Sequence, residues 1–229
     1  MPFLESHKFF LKNSLLLGIL FLILLFMFPV GGAIDMQLIH PWIDSAGNFP
    51  LKIKNNWFLV EINHKLIKHL VIGFFVIILL SWIASFKFDQ LKAFKWQLGY
   101  LFWVSVLSTV LIGLLKSHSA HACPWSMTES TAFGYVWDFS ATQGHCFPGG
   151  HASTGFSLLT GFFVFRKSNP KIAYFFLCLG LVLGFITGWG QMMRGAHFLS
   201  HNLWTGWIIY TFNLLVYRIF YNKFRTAIQ

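Results

Sequence analysis

The stretch Ser14-Leu15-Leu16-Leu17-Gly18-Ile19-Leu20-Phe21-Leu22-Ile23-Leu24-Leu25-Phe26-Met27-Phe28 decides the class of fold, because it sits in an almost continuously apolar run from 13 to 32. At 1.5 Å per residue, about 20 helical residues span the ~30 Å hydrocarbon core of a bilayer. The rest of the chain is built alike. Hydrophobic residues make up 56% of the 229 and charged residues only 10%, with a mean hydropathy of +0.62, whereas soluble domains carry roughly 25% charge. This composition reads as one integral membrane domain over residues 1–229 and as an all-α fold. Lys8 and Lys12 precede the run and Gly31-Gly32-Ala33 follows it, so a cleavable signal peptide competes with a retained first helix. The length of the run favours the helix.

Further apolar spans fall at about 69–86, 98–115, 152–165, 172–190 and 200–217, which predicts a polytopic bundle of six transmembrane helices. The fourth is short. Of the 17 Lys and Arg, eleven lie before the first span or at 87–95, 166–171 and 218–225. That side is cytoplasmic by the positive-inside rule and holds both termini, as in a bacterial-type inner (plasma) membrane. The formal charge of +10 belongs to these punctuating residues and forms no basic arm, so nucleic acid is not a partner in this reading. Residues 33–67 carry Asp35, Asp44, Lys52, Lys54, Glu61 and Lys65 with Trp42 and Trp57. They suit either an extramembrane loop or an amphipathic interfacial helix over Trp57-Phe58-Leu59-Val60 and Ile62, Leu66 and Ile67.

Two cations, Lys116 and Arg194, stand in otherwise charge-poor loops on the far, periplasmic side. Arg194 opens Arg194-Gly195-Ala196-His197-Phe198-Leu199-Ser200-His201 between two apolar spans, where ionisable groups are costly and become functional candidates. Under the six-span topology Lys116, His151 and His197 share one membrane face. Gly149-Gly150-His151 leads into the fourth span, and a glycine-rich helix entrance beside Lys and Arg suits a phosphate-type anion. Arg194 precedes His197 by three residues, a spacing that on a helix puts both on one face.

These residues resemble the motifs of the membrane branch of the type 2 phosphatidic acid phosphatase and vanadium haloperoxidase superfamily. Its motifs run Lys, six residues, Arg-Pro; Pro-Ser-Gly-His; and Ser-Arg, five residues, His, three residues, Asp. Here they read Lys116, six residues, Cys123-Pro124; Pro148-Gly149-Gly150-His151; and Gly190-Gln191, five residues, His197, three residues, His201. Order and spacing agree over a core of residues 98–217. The resemblance implies a two-step transfer without cofactor or metal, in which His197 attacks phosphorus and His151 serves as acid and base. It also implies that Lys116, Gly149, Gly150, Arg194 and Gln191 hold the phosphate oxygens. Four positions depart from the motifs: Cys123, Gly149, Gln191 and His201. In the family the last aspartate supports the nucleophilic histidine, and His201 brings no negative charge. No Asp or Glu follows Asp138, so Asp138 is the expected replacement, with Glu129 and the 33–67 segment as other sources.

Cys123 and Cys146 share a far-side loop exposed to an oxidising compartment, where a disulfide would tie the first motif to the second. The same cysteines, with His118, His121 and His145 and the i, i+4 pair His197 and His201, support a rival reading as a metal-binding membrane protein. That reading leaves Lys116 unexplained. A catalytically inactive lipid-binding member of the family is the third reading. The site's location favours a phosphate or diphosphate on a lipid. The family suggests phosphatidic acid, phosphatidylglycerophosphate, polyprenyl diphosphate or lipid A, with hydrolysis and transfer both open.

Overall fold

The computed structural model describes residues 2–142 and 144–226. In chain order its elements are α1 (Pro2–Met27), α2 (Ala33–Ile39), α3 (Leu51–Lys54), α4 (Ile67–Ala84), α5 (Asp89–Lys92), α6 (Lys95–Ser117), β1 (Thr128–Thr131), β2 (Gly134–Trp137), α7 (Gly150–Phe156), α8 (Thr160–Phe165), α9 (Pro170–Met193) and α10 (Leu199–Thr226). A π-helical stretch, Phe58–Leu66, runs directly into α4. Local chemistry explains several boundaries. Pro29 follows α1 and cannot continue it. Pro170 occupies the first turn of α9, where the Asn169 side chain accepts from the N–H of Ile172 at 3.2 Å.

Among the described residues four helices are long and apolar enough to cross a membrane: His7–Met27, Leu51–Ala84, Lys95–Ser117 and Pro170–Met193. The chain is a helical membrane protein. The other two expected spans, 152–165 and 200–217, are helical but fall outside that set. The first is broken by a 3-10 turn at Ser157–Leu159, and the second carries buried His201, Asn202, Thr205 and Asn213. Both face protein, where a helix need not be apolar all round. The fold also departs from all-α by one antiparallel hairpin, β1 with β2, pairing Thr128 with Trp137. Thr128 Oγ1 and Ser130 Oγ donate to the carbonyls of Gly47 and Ala46, each at 2.6 Å, which fastens the hairpin to the 33–67 segment.

The helices meet through small residues and buried polar ties. On α9, Gly180, Gly184 and Gly188 recur every four residues, so their faces align. A Cβ on Gly155 of α7 would fall on the Gly184 main chain, and one on Gly184 would fall on the Phe156 ring. In lipid, burial of apolar surface gives helices little reason to associate, and such close approach supplies the dispersion contacts instead. Tyr210 donates to Asn13 Oδ1 at 2.6 Å and Trp207 Nε1 to the Leu17 carbonyl at 3.0 Å, joining α10 to α1. Leu15, Leu22, Ile77, Leu80, Phe175 and Val182 stay exposed on the outward faces, as a lipid-facing surface requires.

The 33–67 segment is bound to the bundle. Asp35 of α2 is buried, and its carboxylate accepts from Ser200 N–H at 2.9 Å, from Ser200 Oγ, and from Gly31 N–H at 3.0 Å. A negative charge thus meets the positive end of α10. The π-helical stretch packs on α9: Asn63 sits where Gly190 lacks a side chain and donates to the Ile186 carbonyl at 2.9 Å. The second helix therefore begins about ten residues before the expected span at 69. Gly184→Leu, which puts a side chain into the closest helix crossing, should destabilise the protein by about 1–3 kcal/mol or more. Gly113→Ala on α6, where nothing lies within 4 Å, is the matched control and should leave the melting temperature in detergent unchanged or raised.

Candidate active site

The site assembles at the ends of α6, α7 and α9 and in the loop before α10. Lys116 closes α6 and lies against Gly150, where an added Cβ would stand 3.5 Å from Cδ and 3.7 Å from Nζ. His151, the second residue of α7, brings its Nδ1 to 3.2 Å from Nε2 of His197. On the other edge of its ring, His197 Nδ1 is 2.9 Å from the main-chain oxygen of Cys146. A carbonyl oxygen only accepts, so Nδ1 of His197 carries the proton and Nε2 keeps its lone pair. His151 must then be the donor between the two rings. A lone pair held in place on a fully buried imidazole is the form a nucleophile requires.

Cys146 is itself anchored. It is bonded to Cys123 by a disulfide, with the Cα atoms 5.1 Å apart, and its N–H donates to the His121 carbonyl at 2.8 Å. His145 and His118 stay exposed and bind backbone carbonyls, His145 that of Ser119 in the same loop at 2.6 Å and His118 that of Leu114 in the last turn of α6 at 2.9 Å. With both sulfurs committed to each other, the rival metal set loses two ligands. Among the described residues no group of three or more His, Cys, Asp or Glu is placed to hold a metal ion.

Each departure from the motifs has a structural counterpart. Gly149 donates to the His201 carbonyl at 3.1 Å and accepts from Thr205 Oγ1 at 3.2 Å, and a Cβ there would fall on the Asn202 side chain. The serine of the family motif has no room, and the Gly149 N–H expected to hold phosphate is already in use. His201 is fully buried among Phe147, Phe198 and His121, with ring centroids at 5.5, 5.3 and 6.4 Å, and neither ring nitrogen has a partner. It fills space where the family keeps a carboxylate. Gln191 is buried; its Oε1 accepts from Arg194 at 3.2 Å while its Nε2 donor has no partner.

Two expectations are corrected. Asp138 does not reach His197. It stands half-buried just after β2, where its carboxylate accepts from Ser140 N–H at 2.9 Å and from Ser140 Oγ. Those bonds hold its carboxyl below the usual range, and the position they would have served on His197 belongs to Cys146. Nor do Arg194 and His197 share a helix face, because α9 ends at Met193. Gly195 turns the chain at φ +77°, with Gly195 N–H to Met192 O and Ala196 N–H to Gln191 O, both at 2.9 Å, the two bonds of a Schellman cap. A Cβ at 195 would also fall on the Phe49 ring. Arg194 turns instead to the Lys54 carbonyl, 2.8 Å from its Nε.

Sequence reasoning missed three contributors. The Cys146 carbonyl leaves no side-chain signal. Asp35 lies 165 residues from Ser200, its partner. His64 of the π-helical stretch packs edge-on against His151, with ring centroids 4.6 Å apart. The signal available was His64-x-x-x-Lys68, one helical turn in a segment that otherwise turns apolar.

Burial, with the neighbouring His201 and Lys116 adding to it, pushes the His197 imidazole well below 6.5, so it is neutral in the folded protein. The unfolded chain binds a proton there that the folded chain refuses, and stability falls as the pH drops below the unfolded value. The melting temperature in detergent should be level from about pH 8 to about pH 7 and decline steadily toward about pH 5.

A family model for the PAP2 superfamily matches residues 96–225. No curated protein and no solved structure matches the chain. The matched residues cover more than half of the 229 and include Lys116, His151 and His197. On that match the chain belongs to the PAP2 superfamily, whose general activity is phosphatase-type action on phosphate esters.

Proposed function

We propose that the protein removes or transfers the phosphate of a membrane lipid phosphate or diphosphate through a phosphohistidine on His197. The observation that carries this reading is the row Cys146 O, His197, His151, in which Nδ1 of His197 is tied at 2.9 Å and Nε2 faces a second imidazole at 3.2 Å. In the first step His197 Nε2 forms a bond to phosphorus while the bond to the lipid oxygen breaks, and His151 protonates that oxygen. In the second, His151 takes the proton of water or of another hydroxyl that attacks phosphorus, and the N–P bond breaks. Substrate entry displaces the contact between the two rings and sets the phosphate charge beside His151, which takes up a second proton and, as imidazolium, gives one to the leaving group and returns to the neutral ring. The Cys146 carbonyl keeps its hydrogen bond throughout and stabilises the cationic ring by a dipole, where an aspartate would use a full charge.

Lys116, Arg194, Gln191 and the α7 entrance at Gly150 hold the phosphoryl oxygens in this reading. The topology that goes with it has six crossings, both termini in the cytoplasm and the site on the outer face of a bacterial-type plasma membrane. Exposed apolar faces on α1, α4, α6 and α9 favour a substrate that arrives from the lipid phase.

A screen of purified protein against a panel of lipid phosphates, with EDTA present, tests the reading: phosphate release should persist. His197→Ala should abolish it, a loss of at least about a thousandfold, while the variant stays folded in detergent. Full activity in His197→Ala rejects the nucleophile. Headgroup binding without turnover by the wild type would favour the inactive lipid-binding reading, in keeping with the neutral support of His197. Opening the disulfide with a phosphine reductant, or by Cys123→Ser, frees the loop that carries the Cys146 carbonyl and should lower kcat about tenfold or more with little change in KM.

A further inference from the structure

We propose that His64 and Lys68, together with the Gln191 amide, form a clamp for phosphate oxygens beside His151 and supply the cation that this chain lacks where the family motif has arginine. The clamp takes its ligand class from the phosphotransfer reading above. Asn63, His64, Lys68, His151, Thr154, Thr187 and Gln191 line one small enclosed cavity of about 10 Å³. None of the seven is acidic. The nearest acid on the same helix, Glu61, is paired with Lys65 at 2.7 Å on the exposed side.

Gln191 gives the cavity its polarity. Its Oε1 is held by Arg194, which fixes the orientation of the amide, and its Nε2 is left as a buried donor with no acceptor. A buried unpaired donor is costly and asks for an explanation, and an oxyanion oxygen is the acceptor that a cavity with Lys68 in its lining and no acid attracts. His64 reaches the same place from another helix. Its ring meets His151 edge-on at 4.6 Å, and its position is fixed by its neighbour Asn63, which is seated in the notch at Gly190. The π-helical winding of Phe58–Leu66 turns Asn63 and His64 together toward α9 and α7, a role such segments often have at functional sites. Lys68 follows one turn later on an exposed stem long enough to swing onto a ligand. The cavity as it stands is smaller than a phosphoryl group, so the exposed Lys68 chain moves outward to admit one and its ammonium stays at the rim.

All of these residues except His151, Thr154, Thr187 and Gln191 lie before residue 96, outside the stretch matched by the family model. The positive charge has in effect moved from the α9 motif to a neighbouring helix.

The test is isothermal titration of the purified full chain in detergent with inorganic phosphate and, separately, with dihexanoyl phosphatidic acid, alongside turnover of the lipid phosphate. Lys68→Gln and His64→Gln should each weaken both ligands about tenfold, the loss expected for one charge-assisted contact, while Lys65→Gln binds as wild type. Gln191→Arg in the Lys68→Gln background should recover most of the affinity. Wild-type affinity in Lys68→Gln and His64→Gln overturns the clamp, and so does a loss confined to the lipid, which would place the contact on the glyceryl part. Tenfold losses in a protein that binds but never turns over would support the clamp and reject the phosphotransfer reading. Turnover with unchanged phosphate affinity would do the reverse.

Discussion

The hydrogen bond from His197 Nδ1 to the Cys146 carbonyl is the constraint on which the site depends. It decides which nitrogen carries the proton, which one keeps a lone pair, and how the ring is turned toward His151. In the motif this chain resembles, a carboxylate one helical turn beyond the histidine does that work. Here it comes from the main chain of a loop 51 residues earlier. A loop carbonyl is a good acceptor only if the loop is held. The Cys123–Cys146 disulfide and the bond from Cys146 N–H to the His121 carbonyl hold it from both sides. A side chain at a fixed helical offset has been exchanged for a covalent tie plus a dipole, and His201 is left to pack.

The electrostatic design follows from that exchange. Around His197 stand Lys116, Arg194, His64, His151 and His201, while Asp35, the one buried carboxylate among the described residues, is spent on the first turn of α10. Among the described residues no carboxylate stands in this cluster to compete with an incoming anion. The bundle that carries the cluster is tight for a separate reason. Gly184 lets α7 reach the α9 backbone, with Gly180 seated against Leu159 and Gly188 against Asn202 of α10, so the α7 entrance and the α9 exit, with His151 and the His197 loop, lie at one end of the same crossing. The precision of the histidine pair is set by helices whose backbones approach closely where glycines stand.

Much of this was legible in the chain. The apolar runs gave α1, α4, α6 and α9, because a helix that faces lipid must be apolar over its whole length. The joint spacing of Lys116, His151 and His197 pointed to one cluster, and the fold brings the three together, since three short motifs at three helix ends leave little freedom once the helices are in place. Legibility failed where a role depends on distant contacts. Asp138 was the last acid in the sequence and therefore the natural candidate, yet its carboxylate is satisfied within two residues by Ser140. Gly195 was visible as a helix stop, and reading Arg194 and His197 as one helix face overlooked it. Gly149 looked like a place for phosphate, but its small size serves Asn202.

By itself the sequence determined the membrane class, the helical spans that meet lipid and the two histidines proposed for the chemistry, because hydropathy and motif spacing are local properties of the chain. Only the tertiary structure decided what supports those histidines. Hydrogen bonds to main-chain carbonyls, the close approach allowed by a missing Cβ and the arrival of His64 beside His151 all depend on three-dimensional distance between residues far apart in order. A backbone carbonyl is the same at every position of a sequence, and its value as a hydrogen-bond partner appears only when the fold aims it.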